Sequence, residues 1–429
     1  MLEAFETNPK ISIIVPTLDN FIHLKELISS IHAQTLPPSE IIIADSSSSN
    51  AIEIGVKKIS SSIPIIYLRV GKAYKYDRLL QSIFSLPFLT RFKEKFPPGR
   101  AFPYEATNAG AAIASSDWLG FLDATTIPKK EWLTDYWRLM QHHQCDVVFG
   151  KTKYFATTKF QKLLRASTYG RLGHETAPGT LMTKTNFLNG YKIKEGVRAG
   201  GDVEWKTRIK NNLRYHLPEQ NYLSYSNLPV NLFSTLKKFF IYQIYTAFLD
   251  VQNNVRDIYL GMTLLLGLII SQKWNSIVGG DSIFFIPHLT KIFLVSITCI
   301  ACITFIINRG VLRGYSKNAS NNNNFVQLAI FIMISYFVYR WNAVVADWVE
   351  ESVWYFPHVT KIFFASIITA SFLYRGVFFP LNNNIKSSYL FPLRWIAVGG
   401  LGVLFDLIKA PGYILGGVFS SILKRRSIH

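Results

Sequence analysis

The sequence predicts an α/β domain with a doubly wound, mostly parallel sheet, followed by an all-α transmembrane region. Three observations predict it. Short apolar, β-branched runs alternate with helical patterns through the first half. Apolar stretches of roughly 20 residues, long enough to cross a bilayer core, fill the second half. Between them lies a segment that mixes lysines with large apolar residues. A chain of 429 residues has room for both domains.

In chain order, residues 11–15 read as a buried parallel strand. Leu24, Leu27, Ile28 and Ile31 follow at helical spacing, and Pro37-Pro38 breaks the chain. Residues 40–44 give a second strand, which completes a β-α-β unit. Further strands are expected at 63–70 and 118–122. The domain is expected to span residues 1–230. Residues 72–100 are rich in Lys, Arg, Phe and Pro. Two readings stand open for them: an active-site or membrane-facing segment, or a solvated basic insertion. Residues 231–256 carry Leu232, Phe233, Leu236, Phe239, Phe240 and Phe248 beside Lys237 and Lys238. That mixture suits an amphipathic helix in the membrane interface, with a core helix of the α/β domain as the alternative.

Residues 257–429 are expected to form the transmembrane region. Its apolar stretches fall near 258–278, 283–307, 325–346, 353–374 and 389–408, with a shorter one at 411–423. Within it a helical hairpin is duplicated, at about 258–312 and 325–380, and a C-terminal hairpin follows. The segment starting at Ser282 matches the one at Ser352, and both carry Pro-His-x-Thr-Lys. His288, Lys291, His358 and Lys361 in those motifs read as interface anchors or as contacts to lipid phosphate. Arg309, Arg313 and Lys317 lie between the copies, and Lys424, Arg425 and Arg426 end the chain. Asp281, Asp347, Glu350 and Glu351 fall on the other side. Basic loops on the inside make this a multi-pass inner-membrane protein with a cytoplasmic α/β domain.

The formal net charge is +19. With membrane-length segments present and no nucleic-acid module recognised, that charge points to the lipid bilayer and anionic small substrates, not nucleic acid. Three cysteines argue against a disulfide framework. Cys299 and Cys302 lie in an apolar stretch and read as helix-packing residues. Residues 1–10 show no secretory signal pattern.

Five short motifs carry the chemistry: Ile13-Ile14-Val15-Pro16-Thr17, Asp45-Ser46-Ser47-Ser48, Asn108-Ala109-Gly110, Phe121-Leu122-Asp123-Ala124-Thr125 and Gly201-Asp202-Val203-Glu204-Trp205. Pro16-Thr17 and Asp45 end strands at the carboxyl edge of the sheet, where open α/β proteins bind ligands. Asp45, Asp19 and Asn20 can equally cap helices. Asn108-Ala109-Gly110 is read as opening a helix whose N-terminus favours a diphosphate.

In this order the motifs over residues 10–228 resemble family 2 glycosyltransferases of the GT-A fold, a Rossmann-like nucleotide-diphospho-sugar transferase domain. The resemblance implies a nucleotide-sugar donor, a UDP-sugar first, and a lipid-linked or membrane-held acceptor in glycan synthesis. It assigns Pro16, Thr17, Asp45, Arg100, Asn108, Asp123 and Thr125 to the donor. Asp123 stands where the family's Asp-x-Asp motif holds Mg²⁺ or Mn²⁺, but Thr125 replaces the second carboxylate. Metal binding is expected to be weaker, or cations such as Arg100, Lys129, Lys130 and Lys151 take its place. Asp202 corresponds to the general base of the Glu-Asp motif, whose Glu is Gly201 here. Trp205, Arg208 and His174 are assigned to the acceptor side. The Gln-x-x-Arg-Trp motif of processive synthases is not found, which favours transfer of one or a few sugars. Two alternatives remain at this stage: a polyprenyl-phosphate glycosyltransferase, and a non-catalytic nucleotide-binding membrane scaffold.

Overall fold

A computed structural model describes residues 9–71, 101–249 and 359–426, with positions 279, 283, 285, 336 and 340. Arg100, the 72–100 segment, Cys299, Cys302 and the stretches near 258–278, 283–307 and 325–346 fall outside the described residues, apart from those isolated positions. So do His288, Lys291 and His358 of the repeated motif.

The first half alternates as expected: β1 (Ile11–Thr17), α1 (Phe21–His32), β2 (Glu40–Asp45), α2 (Ala51–Lys57) and β3 (Ile65–Arg69). Asn20 caps α1 by accepting from the His23 N–H at 3.5 Å. After the undescribed segment come α3 (Pro103–Ile113), β4 (Trp118–Phe121), β5 (Thr126–Pro128), α4 (Trp132–His143) and β6 (Val147–Tyr154). Next are α5 (Lys159–Leu164), a π-turn at Arg165–Tyr169, β7 (His174–Thr183) and α6 (Lys184–Leu188). Then follow α7 (Gly201–Asn212), β8 (Tyr215–His216) and β9 (Leu223–Tyr225).

The sheet runs β3-β2-β1-β4-β7-β6-β9-β5, with β8 beside β6. β3, β2, β1 and β4 are parallel, while β7 is antiparallel to both β4 and β6. The register follows the two-residue alternation of side chains. Ile11, Ile13, Val15, Ile41 and Ile43 pack on one face with α1 and with Trp132 and Tyr136 of α4. Ile14, Ile42, Phe121, Phe149 and Trp205 pack on the other. His174 and Glu175 open β7, which runs on through Pro178 and Gly179. A register shift between Val148 and Gly150 makes room for Pro178, since a Cβ on Gly150 would lie 1.8 Å from the Pro178 carbonyl oxygen.

Two expectations change. Asn108 does not open a helix: α3 begins at Pro103, a residue suited to the first helical turn, and Asn108 is mid-helix. The small residues that suggested a helix start instead let α3 lie on β1 and β2, where a Cβ on Gly110 would meet Ile14 Cγ2 at 2.9 Å. In the second half, α8 (Leu232–Leu249) is followed among the described residues by α9 (Val359–Leu373), a π-turn at Tyr374–Phe378, α10 (Phe379–Asn382) and α11 (Ser387–Leu390). The chain then forms α12 (Arg394–Arg426), one continuous helix through Pro411 where a hairpin was expected. Packing against α8 on both sides of the proline sustains it, with Phe405 against Phe239 before it and, after it, Gly412 over the Phe240 carbonyl and Gly416 over that of Ile244.

α8 does not lie free. Ile241, Ile244, Tyr245 and Ala247 are buried, and Tyr245 packs with Val197 and Ala199 of the α/β domain. Its first turn leaves Phe233 77% exposed. Within α12, residues Arg394–Gly417 are long and apolar enough to cross a membrane, with mean hydropathy 1.4 and half of the span buried. Among the described residues it is the one helix that meets that length and composition.

Candidate active site

The parallel strands end their carboxyl edges under a cleft of about 480 Å³. Pro16 of β1 and Asp123, just past β4, form its floor; Tyr104 of α3 and Asp202 of α7 form one side, and α8 and Lys409 of α12 line it as well. Asp123 is placed there because Leu122 extends the strand pairing, its N–H donating to the Ile14 carbonyl at 3.0 Å.

The Asp123 carboxylate is open to the cleft, and among the described residues no cation or hydrogen-bond donor pairs with it. Protein encloses it at longer range. That enclosure, followed by the negative charge of Asp202, pushes its pKa from 3.8 up to about 6. Direct access to water limits the size of the effect but not its upward direction. Thr125, where a second carboxylate was sought, lies beside the Tyr225 phenol and offers no charge.

Asp202 sits in the first turn of α7, half-buried, and accepts a hydrogen bond from Tyr104 Oη at 3.1 Å. The Tyr104 ring also occupies the space above Gly201, where an added Cβ would lie 2.6 Å from ring carbon Cε2. The aromatic ring therefore stands where a glutamate side chain would begin. Burial, then the charge of Asp202, raises the Tyr104 pKa well above its ordinary value, so the phenol stays a donor. Three more tyrosines wall the cleft. Tyr154 stacks on Tyr169 at 4.4 Å and meets Tyr225 edge-on at 5.3 Å. Burial pushes Tyr154 up to about 12, and raises Tyr169 and Tyr225 as well.

Other expected site residues have structural duties. Asp45 is fully buried: Oδ1 accepts from the Ser47 N–H and hydroxyl, and Oδ2 from Tyr67 Oη at 2.8 Å. Thr17 is buried beside it, its hydroxyl without a hydrogen-bond partner among the described residues. Asn108 ties α3 to the 193–195 loop, donating to the Ile193 carbonyl at 2.8 Å and to Glu195 Oε1 at 3.0 Å. Trp205 is not available to stack on an acceptor sugar, because it is fully buried among Phe121, Phe149 and Phe187. Arg208 does not face the cleft as a phosphate ligand. It pairs with Glu204 and donates to the Gly190 and Lys192 carbonyls. His174 bonds the Tyr169 carbonyl and packs on Tyr154, one layer behind the cleft wall.

The cations differ from those expected. Lys151 donates to the Pro218 and Glu219 carbonyls, and Lys129 and Lys130 are exposed outside the cleft. Arg198, Lys238 and Lys409 line it instead. The i, i+4, i+8 spacing of Lys238, Tyr242 and Thr246 was a legible signal for one polar helix face. Nothing in the sequence pointed to Tyr104 or Lys409.

Residues 89–194 match the profile of Glycosyl transferase family 2. Over that stretch the chain is similar to family 2 glycosyltransferases. Its mixed sheet, parallel through β4 and reversed at β7, is the GT-A arrangement. Among solved structures the chain is similar to S. aureus TarS 1-349, at 17% identity over 57% of this chain and 66% of that one, with a TM-score of 0.37. TarS 1-349 in complex with UDP-GlcNAc aligns at 16% identity over 74% and 81% of the two chains, TM-score 0.37. The UDP complex aligns at 15% identity over 79% and 88%, TM-score 0.38. No curated protein matches.

Proposed function

We propose that this glycosyltransferase moves a sugar from a nucleotide-sugar, a UDP-sugar first, to a membrane-held acceptor with inversion at the anomeric carbon. The observation that carries this reading is the meeting of Asp123 and Asp202 in one cleft at the carboxyl edge of the parallel strands. Asp202 takes the proton of the acceptor hydroxyl while that oxygen bonds to the anomeric carbon. The bond from that carbon to the diphosphate breaks, and the nucleoside diphosphate leaves with the electron pair. Tyr104 orients Asp202 through its hydroxyl.

The cleft suits a divalent cation in a limited way. An open carboxylate that lacks a protein partner among the described residues, and that a second carboxylate makes more basic, is a good ligand for Mg²⁺ or Mn²⁺. Asp123 would be its protein ligand, with phosphate oxygens supplying most of the rest. Such an ion neutralises the charge of the leaving diphosphate. Among the described residues no group of three or more His, Cys, Asp or Glu converges, so Asp123 would hold it without a protein cage.

Attachment to the membrane is supported by α12, whose apolar span adjoins the cleft through Lys409. The test is transfer and donor hydrolysis by the full chain in detergent, over a panel of nucleotide sugars with and without Mn²⁺ and membrane lipid extract. Turnover that names a donor and disappears in Asp202→Asn supports the reading. Nucleotide binding without turnover under every condition, equal in both proteins, sinks it.

A further inference from the structure

The cleft wall made by α8 and α12 is built from donors. Lys238, Tyr242 and Thr246 recur along one face of α8, and Gln243 lines the cleft beside them. Lys409 reaches the same cleft from α12. Its ammonium lies 2.9 Å from Asp406 Oδ1. Asp406 is only 3% exposed and is gripped by Arg375, with Nε to Oδ2 at 2.7 Å and Nη2 to Oδ1 at 2.8 Å. Arg375 alone neutralises that carboxylate, so Lys409 brings a surplus positive charge to the wall. An ionisable cluster inside an apolar span is costly to keep and marks function. Gln243 is 5% exposed, and its Nε2 has no hydrogen-bond partner among the described residues. A buried amide donor without an acceptor costs about 1–3 kcal/mol, which a ligand oxygen would recover.

We propose that Lys238, Gln243 and Lys409 form a subsite for a phosphate group carried by the acceptor, an inference that rests on reading the cleft as a glycosyltransferase site. The ligand is an oxyanion because two ammonium groups and an amide N–H offer only donors and positive charge. The subsite belongs to the acceptor because α8 packs on the start of the helix that carries Asp202: a Cβ on its N-cap, Gly200, would lie 3.3 Å from Thr246 Cα. The donor end, at Pro16, is formed by the strand edge instead. Arg375 and Asp406 are positioning residues, since they hold Lys409 without lining the cleft themselves. The phosphate is either the head of a membrane lipid or part of a water-soluble acceptor, and the same donors bind both.

Calorimetric binding to the full chain in neutral detergent tests this with three probes: dodecyl phosphate, inorganic phosphate and UDP. The wild-type protein should bind dodecyl phosphate, and Lys238→Met and Lys409→Met should each weaken it about tenfold, the worth of one charge-assisted hydrogen bond. UDP affinity should stay within about twofold. Lys238 makes no ion pair among the described residues, so its variant reads the subsite even where the Lys409 variant loses stability. Inorganic phosphate bound as tightly, with the same lysine dependence, assigns a water-soluble acceptor; much weaker binding assigns a lipid one. Dodecyl phosphate binding that neither substitution changes overturns the proposal, as does a loss confined to UDP. Lysine-dependent dodecyl phosphate binding by a protein that binds no UDP would leave the subsite standing and remove the nucleotide-sugar reading.

Discussion

Asp202 is held by a phenol where the family's motif has a neighbouring carboxylate, and that sets what substitutions should do. Asp202→Asn keeps the side-chain shape but removes the proton acceptor, so transfer should fall about 10²- to 10⁴-fold while UDP still binds. Tyr104→Phe keeps the ring over Gly201 and removes only the hydroxyl. It should lower kcat about tenfold, with little change in the donor KM. Equal kcat in Tyr104→Phe and wild type would remove the positioning role. Asp123 gives a pH dependence. Its pKa is about 6 in the fold against an ordinary 3.8, so between those values the folded chain binds the proton more tightly than the unfolded one. Asp123 therefore favours the fold at low pH and ceases to as pH rises through about 6, while its capacity for a cation appears over that same rise. Mn²⁺-dependent UDP binding should weaken as pH falls below about 6 in the wild type, beyond the change seen in Asp123→Asn. Parallel profiles for the two proteins would show that Asp123 holds no cation. Both carboxylates were legible in the sequence because a strand end and a helix start fix where a short acidic side chain points. Trp205 and Arg208 were not, because their helical positions are clear but the direction each faces depends on tertiary packing, and Asn108 was not, because its helix begins earlier, at Pro103. Tyr104 escaped notice because its partner lies 98 positions away.

At the scale of elements, the contact between α8 and α12 depends on backbone approach. A Cβ on Gly416 would lie 2.3 Å from the Ile244 carbonyl oxygen, so Gly416→Ala must push the helices apart. It should destabilise the fold by about 1–3 kcal/mol. Gly400→Ala is the control, since its Cβ would meet only Phe372 at 3.7 Å, an ordinary contact. There the better helix propensity of alanine, up to about 1 kcal/mol, should leave stability equal or higher. Thermal unfolding of the two variants in one detergent decides the matter: equal midpoints would mean that α8 and α12 do not pack this closely. The sequence located both helices through their apolar content. It suggested a hairpin from the stretches near 389–408 and 411–423, and it held no local sign that α8 would brace one continuous helix through Pro411. The polar stripe of α8 was readable by spacing, whereas its burial against Val197 and Ala199 joins residues far apart in the chain.

For the whole molecule, the sheet was readable from β1 to β4, where buried strands alternate with helices and short connections join β1, β2 and β3. The reversed β7 was less readable, because Pro178 and Gly179 look like a turn until the register shift opposite Gly150 accommodates them. The junction of the α/β domain with α12 leads to a prediction for the full chain. α12 carries an apolar span of 24 residues, Arg394–Gly417, and the helix continues to a basic run at Lys424, Arg425 and Arg426, on a chain of net charge +19. Two kinds of membrane attachment follow from these features, and they respond differently to solvent. Charge attraction to anionic lipid is screened over about 3 Å at 1 M salt and should then be lost. A helix in the hydrocarbon core is unaffected by salt and needs detergent for release. We expect the full chain to stay with sedimented membranes through high-salt and alkaline carbonate washes, and to leave in neutral detergent. Release by salt alone would make α12 a core helix of a surface-bound enzyme, with its apolar half buried against α8 and its basic end on the lipid. Retention through both washes would put Lys409 at membrane depth, so that an acceptor held in the bilayer would reach Asp202 from the α8–α12 side of the cleft.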